Sequence, residues 1–330
     1  MRTTIYDVAL HAGVSISTVS LALNSPNRVK PATLQRILAA ADELQYVPKA
    51  EAVVRARRGV RRIGVMAPFT SYPSFSRRLN GVIKALRDDA WEIVLYDQES
   101  AAFTLPSLAS IPLTNKLDGL IVMALPIDDP SADRILRQKL ATVLVEVQRP
   151  GFSSVTIDDA AGGRLAARLL LERGHTRFGF IGEQKETADV TLPAESRLEA
   201  YGQTLAAAGH PLSPDRVLAV PHAMQPAREA AHVLLGSPEP PTAIFTHDDV
   251  LAGGVLKAAR ERGLRVPQDL AVIGFDDAEI AEHLGLTTIR QPLEESGEIA
   301  AETLVKQLTI PDPTLRHVTL NLTLVERETA

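Results

Sequence analysis

The chain has 330 residues, a net charge of −5 and no cysteine, and 45% of its residues are hydrophobic. This length exceeds what one small core needs and indicates two or three domains, while the composition is typical of a globular protein rather than a disordered one. The lack of cysteine excludes disulfides and thiolate metal sites. The N-terminus has no signal-peptide pattern, and no apolar run approaches the roughly 20 residues of a membrane helix. We therefore expect a cytoplasmic protein with no membrane partner.

Positive charge is concentrated at the N-terminus. Residues 1–62 contain ten Lys and Arg against four Asp and Glu, a net charge of +6, whereas the remainder carries −11. A basic head on an acidic body indicates a polyanionic partner for the head alone. The alternative is a chance cluster of charge on a solvated face.

The head is predicted to contain three short helices. Thr4 can cap the first, Gly13 permits the positive φ of a sharp turn, and Ser15 can cap the second. A third helix begins at Pro31 and ends before Tyr46-Val-Pro48. The apolar positions at helical spacing are Ile5, Val8, Ala9 and Ala12, then Val14, Val19 and Leu23, then Leu34, Ile37, Leu38, Ala41 and Leu44.

The outer face of the second helix carries Ile16, Ser17, Ser20 and Leu21. Small polar side chains at the start of a helix let it approach base edges and phosphates closely. This pattern indicates a helix-turn-helix that fits a DNA major groove, followed by a basic tether that includes Arg55-Ala-Arg-Arg58. The alternative is an ordinary three-helix cap that packs on another part of the protein.

From Ile63 onward, apolar β-rich runs alternate with amphipathic helical stretches. Strands are predicted at residues 63–67, 93–96, 119–123, 142–145, 155–157, 178–181, 243–245 and 270–275, and helices at 77–88, 162–173, 195–208 and 250–262. This alternation predicts an α/β architecture with parallel sheets covered by helices on both faces. Such sheets bind ligands at the carboxyl ends of their strands.

Pairs of carboxylates follow three predicted strands, namely Asp158-Asp159, Asp248-Asp249 and Asp276-Asp277. Paired carboxylates permit a hydrolase, but these pairs are spread over three loops. Each can instead supply a helix N-cap, an alternative that suits Asp159, Asp249 and Asp277. The sequence contains no dinucleotide-binding, P-loop, nucleophile-elbow or zinc-protease motif, and its histidines show no metal-ligand spacing. We therefore expect no enzyme activity, no metal and no cofactor.

The chain closely resembles the lactose-repressor (LacI/GalR) family of bacterial transcription regulators along nearly its whole length. In the head the matching residues are Thr4-Ile-x-Asp-Val-Ala, Ala12-Gly-Val-Ser15, Thr18-Val-Ser20, Leu23-Asn24 and Leu44-x-Tyr46-x-Pro48. In the body they are Arg62-Ile-Gly-Val65, Leu117-Asp-Gly-Leu-Ile121, Gly174-His175, Arg197 before Tyr201, Gly263-Leu-Arg-Val-Pro267, Ile273-Gly-Phe-Asp-Asp277 and Thr288-x-Arg-Gln-Pro292.

The resemblance implies the domain organisation. It assigns residues 1–48 to a helix-turn-helix domain, 49–61 to a hinge helix and linker, and 62–330 to a periplasmic-binding-protein-like body for effector binding and dimerisation. The body would consist of two doubly wound parallel-sheet subdomains. The N-subdomain would span about 62–159 and 291–320, and the C-subdomain about 160–290 and 321–330.

The resemblance also implies the DNA-binding residues. Ile16, Ser17 and Leu21 would read bases, Thr4, Ser15, Thr18, Ser20, Asn24 and Thr33 would anchor phosphates, and Lys49, Ala52 and Arg55 lie in the hinge helix that enters the minor groove.

Two positions depart from the family pattern. Where Leu21 stands the family usually has an arginine that can pair with guanine, whereas leucine makes only apolar contacts, for example with a thymine methyl group. The operator should therefore differ at that base pair. Arg55 replaces a leucine that wedges into a base step. It could instead read a narrow A·T minor groove, or Val54 could supply a wedge in a shifted register.

In this family two α/β subdomains hold a small-molecule effector between them. The effector-binding residues implied here are Phe69, Tyr72, Phe75, Asp158, Arg197, His222, Asp248, Asp276 and Gln291. The planar fork of Arg197 can span two hydroxyls or a carboxylate, and Asp276 can accept from ligand hydroxyls or amines. Phe69 and Tyr72 stand where polar residues are usual, which suits stacking on a sugar ring or a flatter ligand.

We therefore expect a DNA-binding transcriptional regulator that acts as a repressor and is controlled by an effector such as a sugar. It would bind palindromic double-stranded operator DNA as a homodimer, because one recognition helix reads only a half-site, and it would be associated with the nucleoid. The alternatives are a regulator that requires its effector as co-repressor, a cytoplasmic sugar-binding protein, and an enzyme that uses the aspartates.

Overall fold

A computed structural model describes residues 3–47, 61–70, 72–87, 91–98, 101–184 and 193–330, with the backbone alone for 101–105 and 193–194. The chain divides into two compact units. Unit 1 comprises Met1–Thr156 and Glu294–Val318, and unit 2 comprises Ile157–Leu293 and Thr319–Ala330.

Helices and strands alternate along most of the chain. In chain order the helices are α1 (Ile5–Ala12), α2 (Ile16–Asn24), α3 (Pro31–Glu43), α4 (Pro73–Ala85), α5 (Ala101–Ser110), α6 (Asp129–Arg137), α7 (Asp159–Glu172), α8 (Pro193–Ala207), α9 (Met224–Leu235), α10 (Asp249–Glu261), α11 (Glu279–His283) and α12 (Leu293–Thr309). The strands are β1 (Arg61–Ala67), β2 (Trp91–Asp97), β3 (Gly119–Met123), β4 (Ala141–Val145), β5 (Ser153–Ile157), β6 (Phe178–Glu183), β7 (Val217–Val220), β8 (Ala243–Thr246), β9 (Ala271–Asp276), β10 (Thr287–Arg290), β11 (His317–Leu320) and β12 (Thr323–Val325). Short 3₁₀ turns lie at Pro26–Arg28, Ile111–Leu113 and Pro214–Arg216.

Helices α1, α2 and α3 form a small head around one core. Gly13 follows α1 with a φ of 63°, the left-handed conformation that the sharp turn requires. The Ser15 hydroxyl accepts a hydrogen bond from the Thr18 amide at 3.1 Å and so caps α2. The three predicted head helices are confirmed. Their core is built from the buried residues Val8, Ala9, Ala12, Val19, Ala22, Leu23, Leu34, Ile37, Ala40 and Ala41.

Unit 1 also contains a six-stranded sheet in the order β11-β5-β4-β3-β1-β2. The pairs β1–β2, β1–β3, β3–β4 and β4–β5 are parallel. Strand β3 is buried along its whole length, as expected for a central parallel strand with both faces covered.

The head packs against α6 and against the 3₁₀ turn Ile111–Leu113, both in the remainder of unit 1. The guanidinium of Arg134, which is 3% exposed, donates to both carboxylate oxygens of Asp42 at 3.1 and 2.6 Å. Arg137 donates to Asp42 at 2.7 Å, and Leu113 is buried within the apolar core of the head. The head is therefore held on the rest of unit 1 by ion pairs of Asp42 with two arginines and by one apolar contact.

Unit 2 contains a second six-stranded sheet, in the order β12-β10-β9-β8-β6-β7. The pairs β6–β7, β6–β8, β8–β9 and β9–β10 are parallel, and β12 runs antiparallel to β10. The prediction of parallel sheets is confirmed, and β12 adds an antiparallel edge strand that the alternation did not predict. The strand order reverses at β6, so the loops after β6 and β8 flank a topological switch point, where open α/β sheets bind ligands.

Helices α7 and α8 of unit 2 approach each other closely at Gly163. A Cβ atom at this position would lie 2.1 Å from the backbone oxygen of Arg197, so only glycine allows this spacing. The close contact sets the position of Arg197 on α8.

Among the described residues, no single helix is long and apolar enough to cross a membrane. Helices α1 and α2, which are bent by 103° at their junction, meet that criterion by length and composition only when taken together.

Candidate nucleic-acid interface and ligand site

The outer face of α2 forms an open surface concavity of about 460 Å³. Its lining residues are Ile16, Ser17, Ser20, Leu21 and Asn24. Ile16 and Leu21 are 39% and 38% exposed, although both are large apolar residues. The outward orientation predicted for these side chains is confirmed, and the face combines short hydroxyl groups with two apolar contacts.

Three residues predicted to anchor phosphates, Thr4, Ser15 and Thr18, lie at helix N-termini of the head. Asp7 accepts hydrogen bonds from the amide and hydroxyl of Thr4 at 2.8 and 2.7 Å, and the hydroxyls of Ser15 and Thr18 lie 2.8 Å apart. Because the backbone amides and dipole of a helix N-terminus favour anions, these positions suit DNA phosphates.

Five further residues were predicted to bind DNA, and the structure describes two of them. Asn24 donates to the Ser20 carbonyl at 2.7 Å, which holds its amide on the outer face of α2. Thr33 lies in the first turn of α3. The hinge residues Lys49, Ala52 and Arg55 lie outside the described residues.

Arg197 is the centre of the polar cluster in unit 2. It is 3% exposed, and its Nε donates to Asp159 while its Nη1 donates to the His247 carbonyl, both at 2.7 Å. Its Cζ lies 3.5 Å from the centre of the Phe275 ring, a cation–π contact. Its second terminal nitrogen, Nη2, makes no hydrogen bond to any residue that the structure describes. The guanidinium is thus held in place with one donor group to spare.

His222 and Asp248 form a short hydrogen bond between His222 Nε2 and the carboxylate, and both side chains are buried. Burial lowers the pKa of the imidazole, but the hydrogen bond and charge of Asp248, with the charges of Glu183 and Asp276, outweigh it and raise that pKa. Burial raises the pKa of Asp248, yet the bond from His222 and the neighbouring imidazoles lower it overall. Both shifts favour the charged forms of the two side chains, and so an ion pair.

Asp276 lies at the end of β9 and accepts a short hydrogen bond from the side-chain amide of the buried Gln291. Asp276 and Asp277 have φ values of 102° and 53°, a left-handed conformation that non-glycine residues rarely adopt. Asp277 is held there by Arg290 at 2.6 Å and Arg327 at 2.7 Å. Local strain of this kind is maintained only where surrounding contacts fix it, and it is common at ligand sites.

Asp249 is buried directly beneath this turn. Its carboxyl accepts from the Thr288 hydroxyl at 2.6 Å and from the Ala278 amide at 2.7 Å. Burial and the charge of Asp276 raise its pKa well above the usual range, against these two hydrogen bonds. Asp249 is a structural support of the turn that carries Asp276.

The N-caps lie one residue away from the three aspartates that the sequence suggested as possible caps, Asp159, Asp249 and Asp277. Asp158 caps α7 by accepting from the Ala161 amide at 2.8 Å, and Asp248 caps α10 by accepting from the Leu251 amide at 2.9 Å. The caps therefore precede Asp159 and Asp249 by one residue, because α7 and α10 already begin at those two aspartates. The alternative of a cap at Asp277 is also wrong, since Ala278 occupies that position at α11. Asp158 additionally pairs with Arg164 at 3.0 Å.

The predicted aromatic residues of unit 1 follow β1. Tyr72 and Phe75 meet edge to face with ring centroids 5.9 Å apart, and Phe69 is half-buried at the end of the strand. Beside Phe75 lies a buried ion pair between Arg78 and Glu146 that the sequence did not indicate. The only available signal was the place of Glu146 directly after β4.

In unit 2 the structure brings together five of the predicted effector residues, named here the edge cluster: Arg197, His222, Asp248, Asp276 and Gln291. All five lie on α8 or on the loops at the carboxyl edge of the sheet. No group of three or more His, Asp or Glu among the described residues is arranged to hold a metal ion.

Comparisons with known proteins agree in both parts of the chain. Residues 4–49 match the family described as bacterial regulatory proteins, lacI family, and residues 167–330 match a periplasmic binding protein-like domain. The ribose operon repressor of Escherichia coli strain K12 is 33% identical over 335 residues, which cover 99% of each chain. The HTH-type transcriptional regulator DegA of Bacillus subtilis strain 168 is 32% identical over 306 residues, or 90% of this chain and 89% of DegA.

Solved structures of similar proteins share the whole architecture. A transcriptional regulator CelR–cellobiose complex has a TM-score of 0.72 at 27% identity over 100% of both chains. A LacI-family regulator from Silicibacter pomeroyi has a TM-score of 0.75 at 26% identity over 99% of both chains. With the exposed reading face of α2 and the two parallel-sheet units, these matches show that the chain belongs to the LacI family of bacterial regulatory proteins and is a DNA-binding transcriptional regulator.

Proposed function

We propose that this regulator represses transcription from a palindromic operator as a homodimer, and that a polyhydroxylated small molecule such as a sugar controls its DNA affinity. The edge cluster is the observation that carries the effector assignment. Its groups are the ones that recognise hydroxyls: a fixed guanidinium, two carboxylates, an amide and an imidazole. Repression is supported by the relative that is named a ribose operon repressor.

The chemistry of the edge cluster favours a ligand with several hydroxyl groups. Arg197 offers a donor that no described residue uses, whereas Asp248 and Asp276 offer carboxylate oxygens as acceptors. A vicinal diol can donate to a carboxylate and accept from a guanidinium at the same time. The solved CelR structure is described as a cellobiose complex, which is consistent with this ligand class.

Control of DNA binding follows from thermodynamic linkage. A ligand that binds one conformation of the protein more tightly shifts the population toward it, and the sign of the effect on DNA depends on which conformation that is. Coupling of this kind is typically about 1–3 kcal/mol. An inducer and a co-repressor therefore differ only in the sign of the change in operator affinity.

The homodimer is supported by a groove on unit 2 between α9, α10 and α11. Its volume is about 380 Å³, and its apolar lining includes Met224, Leu256, Ile280 and Leu284, with basic side chains at its rim. An exposed apolar surface with a polar rim is typical of a protein interface. A second copy of the chain is the expected occupant, because one recognition helix reads one half-site of a palindrome.

Operator binding by the full chain tests the DNA part of the proposal. We expect affinity for a selected palindromic site to fall steeply with salt, since basic side chains displace counterions from phosphates, and to fall sharply for an isolated half-site. Sedimentation should give a dimer. Affinity that is insensitive to salt, or equal for a palindrome and a half-site, would contradict the proposal.

A thermal-shift screen with pentoses, hexoses and disaccharides tests the effector part. A bound sugar should raise the melting temperature by mass action and change operator affinity. The same sugars should be recovered unchanged after incubation. Measurable turnover would favour the enzyme alternative instead.

A further inference from the structure

His247 occupies the central position at the carboxyl edge of unit 2. It follows β8 directly, it is 8% exposed, and its carbonyl accepts from Arg197 at 2.7 Å. Its ring meets that of His222 edge to face, with centroids 6.2 Å apart. The residue thus lies among the edge cluster without having been assigned to it from the sequence.

The imidazole of His247 is neutral at physiological pH. Burial and the nearby charge of Arg197 lower its pKa to about 3, and the opposing charge of Asp248 does not offset them. A neutral imidazole has one N–H donor and one acceptor nitrogen, so its tautomer decides what it can recognise.

The surroundings select the tautomer. Nε2 lies 3.6 Å from a carboxylate oxygen of Glu183, a separation too long for a hydrogen bond but close enough for the negative charge to favour a proton on that nitrogen. The other nitrogen, Nδ1, then carries a lone pair. Nδ1 is buried and has no hydrogen-bond partner among the described residues. Buried acceptors in native proteins are nearly always paired, so this atom calls for a donor that the described residues do not supply.

We propose that His247 is a specificity-determining residue of the effector site, with Nδ1 accepting a hydrogen bond from one hydroxyl of a polyhydroxylated effector. This inference rests on the proposed function and narrows its ligand class to molecules that carry a hydroxyl donor at one defined position. Nε2 of His222 is paired with Asp248, whereas Nδ1 of His247 has no hydrogen-bond partner in the part of the chain that the structure describes. A ligand without that hydroxyl leaves the acceptor buried and unpaired.

Binding of deoxy sugars to the full-length protein tests the inference. The probes are D-ribose, D-glucose and cellobiose, followed by the monodeoxy analogues of whichever binds most tightly, measured by calorimetry. One deoxy analogue should bind about 5- to 150-fold more weakly than its parent. His247→Phe keeps an aromatic ring but lacks an acceptor. In this variant the parent sugar should bind more weakly by a similar factor, and the discrimination should disappear.

Two controls separate recognition from folding. His247→Asn, whose side-chain oxygen can take the place of Nδ1, should retain most of the discrimination. Circular dichroism and urea denaturation should show that both variants are folded. ¹⁵N NMR of the protein with ¹⁵N-labelled histidine should show that the imidazole of His247 is neutral and protonated at Nε2 in the absence of sugar. A proton on Nδ1 would overturn the acceptor assignment without any ligand being involved.

The outcomes distinguish this inference from the proposed function. If His247→Phe binds sugar and keeps the wild-type preference for the same hydroxyl, the role of His247 is wrong while the sugar effector stands. If the wild-type protein binds operator but none of the three sugars, the polyhydroxylated ligand class is wrong. Both the proposed effector and the role of His247 then fail.

Discussion

At the residue scale, base recognition depends on what α2 offers to the groove. Ile16 and Leu21 are exposed on that face, and between them lie only the short hydroxyls of Ser17 and Ser20. None of these side chains can form the two parallel hydrogen bonds that an arginine makes to guanine. The face is therefore suited to apolar contacts with thymine methyl groups and to close approach of the backbone.

Replacing Leu21 by arginine should create a new base preference. Leu21→Arg is expected to favour guanine at one position in each half-site, by about 1–3 kcal/mol, because its guanidinium can pair with O6 and N7. Selection from random operators should return different motifs for the two proteins. Leu21→Met, which stays apolar, is the matched control and should keep the wild-type motif. Identical motifs for wild type and Leu21→Arg would contradict the prediction.

The His222–Asp248 pair should give unit 2 a defined pH dependence. The pKa of His222 is higher in the folded protein than in the unfolded chain. This shift stabilises the fold fully at pH values below the unfolded-state pKa, and the stabilisation is lost as pH rises through the folded-state pKa. The pKa of Asp248 is lower in the folded protein than in the unfolded chain. This shift stabilises the fold at pH values above the unfolded-state pKa, and the stabilisation is lost as pH falls through the folded-state pKa. The pair therefore contributes most between these limits, in mildly acidic to neutral solution.

Comparison with His222→Gln isolates this contribution. The difference in free energy of unfolding between wild type and variant should be greatest near pH 6 and shrink toward pH 9, as measured by urea denaturation at constant ionic strength. Asp249, whose pKa is also shifted, is present in both proteins, so its effect cancels. A difference that is constant over this range would show that the pair is not charged.

At the element scale, the long periodic segments could be predicted, whereas short strands that depend on distant pairing could not. Strand β3 and helix α3 have bounds within a residue of the predicted ones, because an apolar run and an apolar stripe at helical spacing can both be recognised in the local sequence. Strands β10 and β12 are short, and each is stabilised by a partner some 35 residues away in the chain. Helix α5 contains Pro106, which locally argues against a helix.

The candidate site was predictable only in part for the same reason. Arg197 and Asp276 could be aligned with family positions, but the tie from Arg197 to the His247 carbonyl depends on two elements that meet in space. The choice of Asp158 over Asp159 as cap depends on where α7 begins, which a sequence pattern fixes only within a few residues.

The α7–α8 contact should tolerate no side chain at Gly163. Gly163→Ala is expected to destabilise unit 2 by about 1–3 kcal/mol, because the added Cβ would meet backbone atoms of α8 that cannot move separately. It should also weaken sugar binding, since Arg197 must shift with α8. Gly202→Ala, on the neighbouring helix α8, is the matched control, because a Cβ atom at Gly202 meets nothing within 4 Å. It should be neutral or stabilising by up to about 1 kcal/mol. Equal stability of the two variants, measured by denaturation, would rule out the close contact.

At the scale of the whole molecule, the head and the body differ in the sign of their net charge. The basic head carries the attraction to DNA, while the body is acidic and is repelled by it. Composition predicted this division. It gave no indication of how the head is held on unit 1, because Asp42 and Arg134 are 92 residues apart and each alone resembles an ordinary surface charge.

The Asp42–Arg134 contact should hold the head on unit 1 in solution. Asp42→Asn removes the charge that faces a buried guanidinium, so the head is expected to lose about 1–3 kcal/mol of its attachment to α6, a value moderated by the partial exposure of Asp42. Hydrogen exchange should then become faster in α3 and α6 but not in unit 2. Glu43→Gln is the matched control, because Glu43 is the next residue and pairs with His11 inside the head. It should change exchange in neither helix. If Asp42→Asn and Glu43→Gln exchange alike in α6, the head is not held there by this pair, and the tether alone joins the DNA-binding domain to the body.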